Sequence, residues 1–264
     1  MWRSDGWDVR IRIGVLTPHA DVGPESELQA MAPDGVGIHA ARVPFGAMGA
    51  GGTMDPTIPL APVAAFAEPP HIDDATALLA AAPVHAIGIA FTSTGYLLGV
   101  DGETAMVTRL EQSSSGIPVV STCAAAVLAL RSVRARRLAV VNPPWFDADL
   151  DALGAKFFTS QGFDVVSHGP CGLPSKQRSI NPPELYDWVR KHTPATADAV
   201  FIGGNGFRAV GIIEALEQDL ERPVLTANQV LLWHCLRVAA VHLKPHGYGR
   251  LFDSDPVEPI GPPS

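Results

Sequence analysis

Apolar runs and amphipathic stretches alternate along almost the whole chain. Runs rich in Val, Ile, Leu and Ala at 11–16, 37–43, 86–91, 118–120, 138–142, 164–167, 199–203 and 223–225 read as buried strands. Helical patterns fall at 72–81, 124–133, 147–161, 183–192, 205–220 and 230–238. Strands alternating with helices predict an α/β fold with parallel sheets covered on both faces. One stretch keeps no period. Residues 43–70 (VPFGAMGAGGTMDPTIPLAPVAAFAEPP) are dense in Gly and Pro, and a loop of that length in a compact domain is usually functional or disordered. It is expected to be a mobile flap over a cleft, with a plain surface excursion as the bland alternative. The tail after Phe252 is expected to fray.

The pattern also repeats. Pro118-Val119-Val120-Ser121-Thr122-Cys123-Ala124 and Pro223-Val224-Leu225-Thr226-Ala227-Asn228-Gln229 each end a short strand in a polar turn and open a helix. The chain is therefore expected to form two pseudo-symmetric lobes, each a parallel sheet flanked by helices. Residues 1–116 with 223–264 make the first lobe and 117–222 the second. Ligands of open α/β sheets bind beyond the carboxyl ends of the strands, so the binding cleft should lie between the lobes.

The richest stretch is 198–241. A buried strand runs into Gly203-Gly204-Asn205-Gly206, a geometry that aims backbone N–H groups at an anion above the strand end. With Arg208, Thr226-Ala227-Asn228-Gln229 and Trp233-His234, it resembles the maleate isomerase and arylmalonate decarboxylase branch of the aspartate/glutamate racemase superfamily. The resemblance is strong from 118 to 252 and weak before 87. It extends to Gly247-Tyr248-Gly249-Arg250-Leu251-Phe252. It implies a cofactor-independent enzyme acting at a carbon next to a carboxylate. The two positions where the family carries cysteines hold Phe91 and Gly204 here, so the two-cysteine chemistry does not transfer.

Composition narrows the alternatives. Hydrophobic residues make up 47% of 264, yet no apolar run reaches the roughly 20 residues of a membrane span. Charges scattered through the N-terminus leave no signal-peptide core, and a cytoplasmic protein is expected. A net charge of −8 argues against nucleic acid; the one basic run, 131–137, suits a helix C-terminus. Three cysteines without metal spacing predict neither a disulfide framework nor a structural metal. The expected partner is a small carboxylic acid, and a homo-oligomer is left open. A nucleotide loop at 203–206 lacks both the G-x-G-x-x-G order and a Walker lysine.

Candidate chemistry sits at strand ends. Asp21 follows the first strand, where the resemblance implies an asparagine that helps hold the substrate carboxylate. There it is either an acid/base group or a turn residue, and His19 beside it could titrate near neutrality. Thr92 and Ser93 resemble the decarboxylase's Gly-Thr-Ser turn, whose donors stabilise an enolate oxyanion; as bland alternatives they are helix caps. Asn142 and Trp145 follow the strand at 138–142, and Trp145 offers an indole N–H or an apolar wall. Lys176 falls about where the family has an asparagine and could pair with a carboxylate. Asp21, His19 and Lys176 are the candidate proton carriers. Thr92, Ser93, Asn142, Trp145, Gly204, Asn205, Gly206 and Arg208 are the candidate substrate contacts, with the N–H groups of 92, 93 and 204–206 facing the anion. A side chain at Gly204 is expected to block the ligand while barely changing the fold. Among the thiols Cys123, at a helix start, is the best candidate for reactivity. The other reading of the scaffold is a protein that binds or senses small acids without converting them.

Overall fold

The computed structural model describes residues 6–241 and 243–253. The expected fraying after Phe252 falls almost wholly outside them. In chain order the first half runs β1 (Ile11–Pro18), α1 (Gly23–Met31), β2 (Val36–Val43), the two-residue strands β3 (Met48–Gly49) and β4 (Thr53–Met54), α2 (Leu60–Ala67), α3 (His71–Ala80), β5 (Ala86–Ile89), α4 (Thr92–Ser113) and β6 (Val119–Ser121). After α5 (Thr122–Ser132), the second half runs β7 (Arg137–Asn142), α6 (Ala148–Ser160), β8 (Asp164–Pro170), α7 (Pro182–His192), β9 (Ala199–Ile202), α8 (Ile213–Leu220), β10 (Val224–Thr226) and α9 (Ala227–Val238).

Two four-stranded parallel sheets result, ordered β2-β1-β5-β6 and β8-β7-β9-β10. Numbered within its own half, each sheet has the same order: second, first, third, fourth. The strand order therefore reverses between β1 and β5 in one lobe and between β7 and β9 in the other. Chain leaving two adjacent strands there diverges to opposite faces and opens a crevice at the carboxyl ends. The central strands are apolar on both faces because helices cover both: every residue of β5 and β9 is buried, while the edge strands β2 and β8 are mostly half-exposed.

Each lobe keeps its last strand, and the chain crosses between lobes only after it. Val119–Ser121 pairs with β5, so the chain leaves the first sheet after this strand rather than before it. Val224–Thr226 likewise closes the second sheet against β9. From there α9 returns to the first lobe and lies on β5, where Cys235 and Leu231 pack over Gly88. Local signals start these helices two or three residues earlier than their apolar periodicity suggests. The Ser121 hydroxyl accepts from the Ala124 N–H, and Thr226 with Gln229 forms a reciprocal capping box.

Four helices differ from expectation. Residues 205–209 are a turn, not helix; a 3-10 turn (Val210–Ile212) leads into α8. Gly204, at φ +80°, turns the chain away from the helical path. In α1 and α2 the apolar stripe is short and Pro24 and Pro62 interrupt it, yet Leu28 and Met31, and Val63 and Phe66, are fully buried. α4 joins two helical segments through Gly99 at φ +66°, which hides its period. Among the described residues no helix is long and apolar enough to cross a membrane.

Candidate functional site

All four strand ends at the two reversal points meet in one small cleft. Pro18 and Asp21 enter from β1, Phe91, Thr92 and Ser93 from β5, Trp145 and Phe146 from beyond β7, and Gly204, Asn205 and Gly206 from β9. Phe45, Met48, Met54 and Ile58 of the Gly/Pro-rich segment close it from above, and its volume is about 20 Å³. That covering segment springs from the first lobe and is fastened to the second. The Ile58 N–H donates to the Trp145 carbonyl (2.9 Å), Arg178 donates to the Gly51 carbonyl (3.2 Å), and the Ser175 hydroxyl donates to the Pro56 carbonyl.

One wall is aromatic. Phe91 contacts Phe66 (ring centroids 4.4 Å) and Phe45 (4.9 Å), and Trp145 stands edge-on to Phe207 (5.6 Å). The opposite pole is polar and ordered by Asn205. Its side-chain oxygen accepts from the Thr92 N–H (2.8 Å) and the Thr92 hydroxyl (2.7 Å), while the Gly204 N–H donates to the Thr92 oxygen (3.2 Å). Its amide nitrogen donates to Thr122 (3.0 Å) and to the Asn228 side-chain oxygen (2.9 Å). The N–H groups of Thr92 and Gly204, expected to face an anion, are thus engaged inside the protein. The Ser93 N–H and hydroxyl and the N–H groups of Asn205 and Gly206 have no partner among the described residues. Ser93 also sits in the first turn of α4, where the helix dipole favours negative charge.

Asp21 is the only acidic or basic side chain among those lining this cleft. Its carboxylate accepts from the Gly23 N–H (2.8 Å) and is bonded by Gln177. Burial raises its pKa above the usual aspartate range, outweighing these donors and the Arg42 guanidinium, which lower it. Gly206 makes the arrangement possible: a Cβ there would lie 2.3 Å from the Gln177 amide nitrogen and 2.6 Å from Asp21 Oδ2. Sequence reasoning missed Gln177. The signal was an amide one residue beyond Lys176, in the loop where the resemblance implies an asparagine.

The remaining candidates lie elsewhere. Lys176 lines an outer groove against Gly51–Met54, not the cleft. His19 is exposed; its Nδ1 accepts the Phe45 N–H (3.1 Å) and anchors the base of the covering segment. Asn142 is fully buried behind the cleft, donating to Asp151 (2.7 Å) and accepting from Tyr96 (3.3 Å); Asp151 in turn bonds His168 (2.6 Å). Arg208 lines a larger groove of about 490 Å³ on the far side of Gln177 and Gly206, with Arg178 and Glu27. No thiol lines the cleft. Cys123 points at the Thr92 carbonyl (3.4 Å) and burial holds its pKa well above the usual range. Burial likewise raises Cys171 to about 11 and Cys235 to about 12, which keeps the thiolate, the nucleophilic form, scarce near neutrality.

Several solved structures share this architecture. The maleate isomerase of Pseudomonas putida S16, solved with maleate, superposes with a TM-score of 0.81 at 18% identity, over 94% of this chain and 99% of that one. A variant of arylmalonate decarboxylase in a sulfate-associated form gives 0.76 at 20% identity, over 92% of this chain and 100% of that one. The maleate cis-trans isomerase of Nocardia farcinica, with a covalently bound succinylcysteine intermediate, gives 0.78 at 20% identity, over 92% and 98%. Comparison with curated proteins returns no match. At these identities the superpositions establish the fold, and the family model for arylmalonate decarboxylase matches residues 64–252. With that match spanning well over half of the chain, including the cleft turns after β5, β7 and β9 though not the β1 turn that carries Asp21, the chain belongs to the arylmalonate decarboxylase family.

Proposed function

We propose that the protein is a cofactor-independent, decarboxylase-like enzyme that forms and protonates an enolate next to the carboxylate of a small organic acid, with Asp21 as the proton carrier. The observation that carries this reading is the pairing of Asp21 with unengaged donors across a cleft that is otherwise apolar. One carboxylate of a substituted malonate lies against Ser93 and the Asn205 and Gly206 N–H groups; the other faces the aromatic wall, where an anion is poorly solvated. The bond from the central carbon to the second carboxylate breaks, its electron pair enters the enolate, and CO₂ leaves. The donors stabilise the charge developing on the enolate oxygens. The carboxylic acid of Asp21 then gives its proton to the central carbon and is reprotonated from solvent. A raised pKa suits that task, since the group must hold its proton until the carbanion forms.

The Nocardia enzyme's succinylcysteine points to thiol addition in that protein. With no thiol lining this cleft, decarboxylation is favoured over isomerisation by adduct formation. A second reading, binding or sensing without turnover, is favoured by one observation: Phe91 helps reduce the cleft to about 20 Å³. Proton NMR in deuterated water separates the two. Incubation with phenylmalonate, ethylmalonate and maleate is expected to convert at least one malonate to the monoacid carrying a single solvent deuterium. A malonate that raises the melting temperature but is never converted would overturn the enzymatic reading.

A further inference from the structure

Glu27, on α1 of the first lobe, reaches across to the second and is buried. One carboxylate oxygen accepts the Ala209 and Val210 N–H groups (2.7 and 3.1 Å), and the other accepts the Asn228 side-chain amide (2.8 Å). The same Asn228 nitrogen donates to the Asn205 carbonyl (2.8 Å), while the Asn228 oxygen accepts from the Asn205 amide (2.9 Å). An ionised carboxylate only accepts hydrogen bonds, so it fixes which end of Asn228 faces it. Asn228 then fixes the orientation of Asn205, whose oxygen holds Thr92, whose hydroxyl holds Gly204. Every donor in the chain is assigned from Glu27 outward.

We propose that Glu27 is a positioning residue for the anion-binding turn, setting the orientation of Asn228, Asn205 and Thr92 from across the lobe interface. The argument rests on the reading of that turn as the anion pole. Protonation reverses the logic. A neutral Glu27 carries an O–H that needs an acceptor, and of its three hydrogen-bond partners only Asn228, once flipped, supplies one. The flip sets the Asn228 oxygen against the Asn205 carbonyl and its nitrogen against the Asn205 amide, both repulsive. Burial raises the Glu27 pKa to about 7, partly opposed by its three donors, so the reversal falls within the ordinary working range. The charged or titratable groups facing Glu27 are Asp21 from the end of β1, Arg208 from the turn after β9, Arg178 from the loop after β8 and Tyr248 from the C-terminal segment.

The test uses ¹⁵N-labelled full-length protein with and without Asp21→Asn, so that titration of Asp21 is removed. The Thr92 and Gly204 amide resonances should titrate together with a midpoint near 7. They should become pH-independent in Glu27→Gln, close to their low-pH positions. Phenylmalonate affinity should fall about tenfold on Glu27→Gln at pH 8, about 1.4 kcal/mol, and fall in the parent as pH drops from about 8 to about 6. Amides that do not titrate in the parent, or that still titrate in Glu27→Gln, would overturn the proposal. If Glu27→Gln does not fold, the parent titration alone decides. If phenylmalonate binds neither protein, the functional reading fails, and the amide titration still decides this one.

Discussion

At the scale of single residues, the cleft divides its hydroxyls between two tasks. Thr92 is structural: its oxygen is the acceptor for the buried Gly204 N–H, so Thr92→Val should cost roughly 1–3 kcal/mol of stability through one unsatisfied donor, read as a lowered denaturation midpoint. The Ser93 hydroxyl and N–H have no partner among the described residues, and in the proposed function they face the ligand. Ser93→Ala should lower kcat on a converted malonate by about ten- to a hundredfold, in the range of lost oxyanion donors, with an unchanged melting curve. Gly204→Val does not isolate the site, because a Cβ at φ +80° would lie 2.4 Å from the Pro143 ring. It should destabilise the fold by about 2 kcal/mol or more, measurable by calorimetric melting. The sequence showed which hydroxyls stand at strand ends. It could not show that Asn205 engages Thr92 and leaves Ser93, because that allocation depends on residues 113 positions apart. For the same reason Lys176 looked like a ligand contact and Gln177 did not: neighbours in a loop face different grooves.

At the scale of elements, function follows from where strand order reverses. β1, β5, β7 and β9 each hand their next residues to the cleft, and Asp21, Ser93, Trp145 and Gly206 are those residues. All eight sheet strands were legible as apolar runs: the central ones because a strand buried on both faces leaves a continuous signal, the edge strands β2 and β8 from short apolar stretches although they are largely half-exposed. The edges of the pattern were not. Val119–Ser121 and Val224–Thr226 look like starts of new halves but are the last strands of the preceding ones, a matter of pairing that no local signal records. The Gly/Pro-rich segment was recognisable as a cover, whereas its fastening by Ile58 to Trp145 was not. Phe91 meets that cover from below. Phe91→Ala should cost about 3 kcal/mol in lost packing and, if the ring limits the ligand, shift binding in calorimetry toward malonates with bulkier aryl groups.

At the scale of the whole molecule, two glutamates are buried, Glu27 between the lobes and Glu103 within the first, which gives stability a pH signature. Burial raises both Glu27 and Glu103 to about 7 from an ordinary value of 4.5. A raised carboxyl favours the protonated folded state, so its contribution is fully present below about 4.5 and is lost as pH rises to about 7. Each group accounts for at most roughly 3 kcal/mol. Urea denaturation at several pH values should therefore show stability falling across that window, with a shallower fall when both glutamates are replaced by Gln. The proposed function rests on one group, the buried carboxyl of Asp21, as the proton carrier. The most direct measurement compares conversion of the best malonate in deuterated water by Asp21→Asn and by a variant with Cys123, Cys171 and Cys235 all replaced by Ser. Asp21→Asn should lose about a hundredfold or more in kcat, in the range for a lost general acid, while still binding the malonate. The cysteine-free protein, corrected for its folded fraction, should stay within a few-fold of the parent. Retained turnover in Asp21→Asn, or its abolition in the folded cysteine-free protein, would contradict the account.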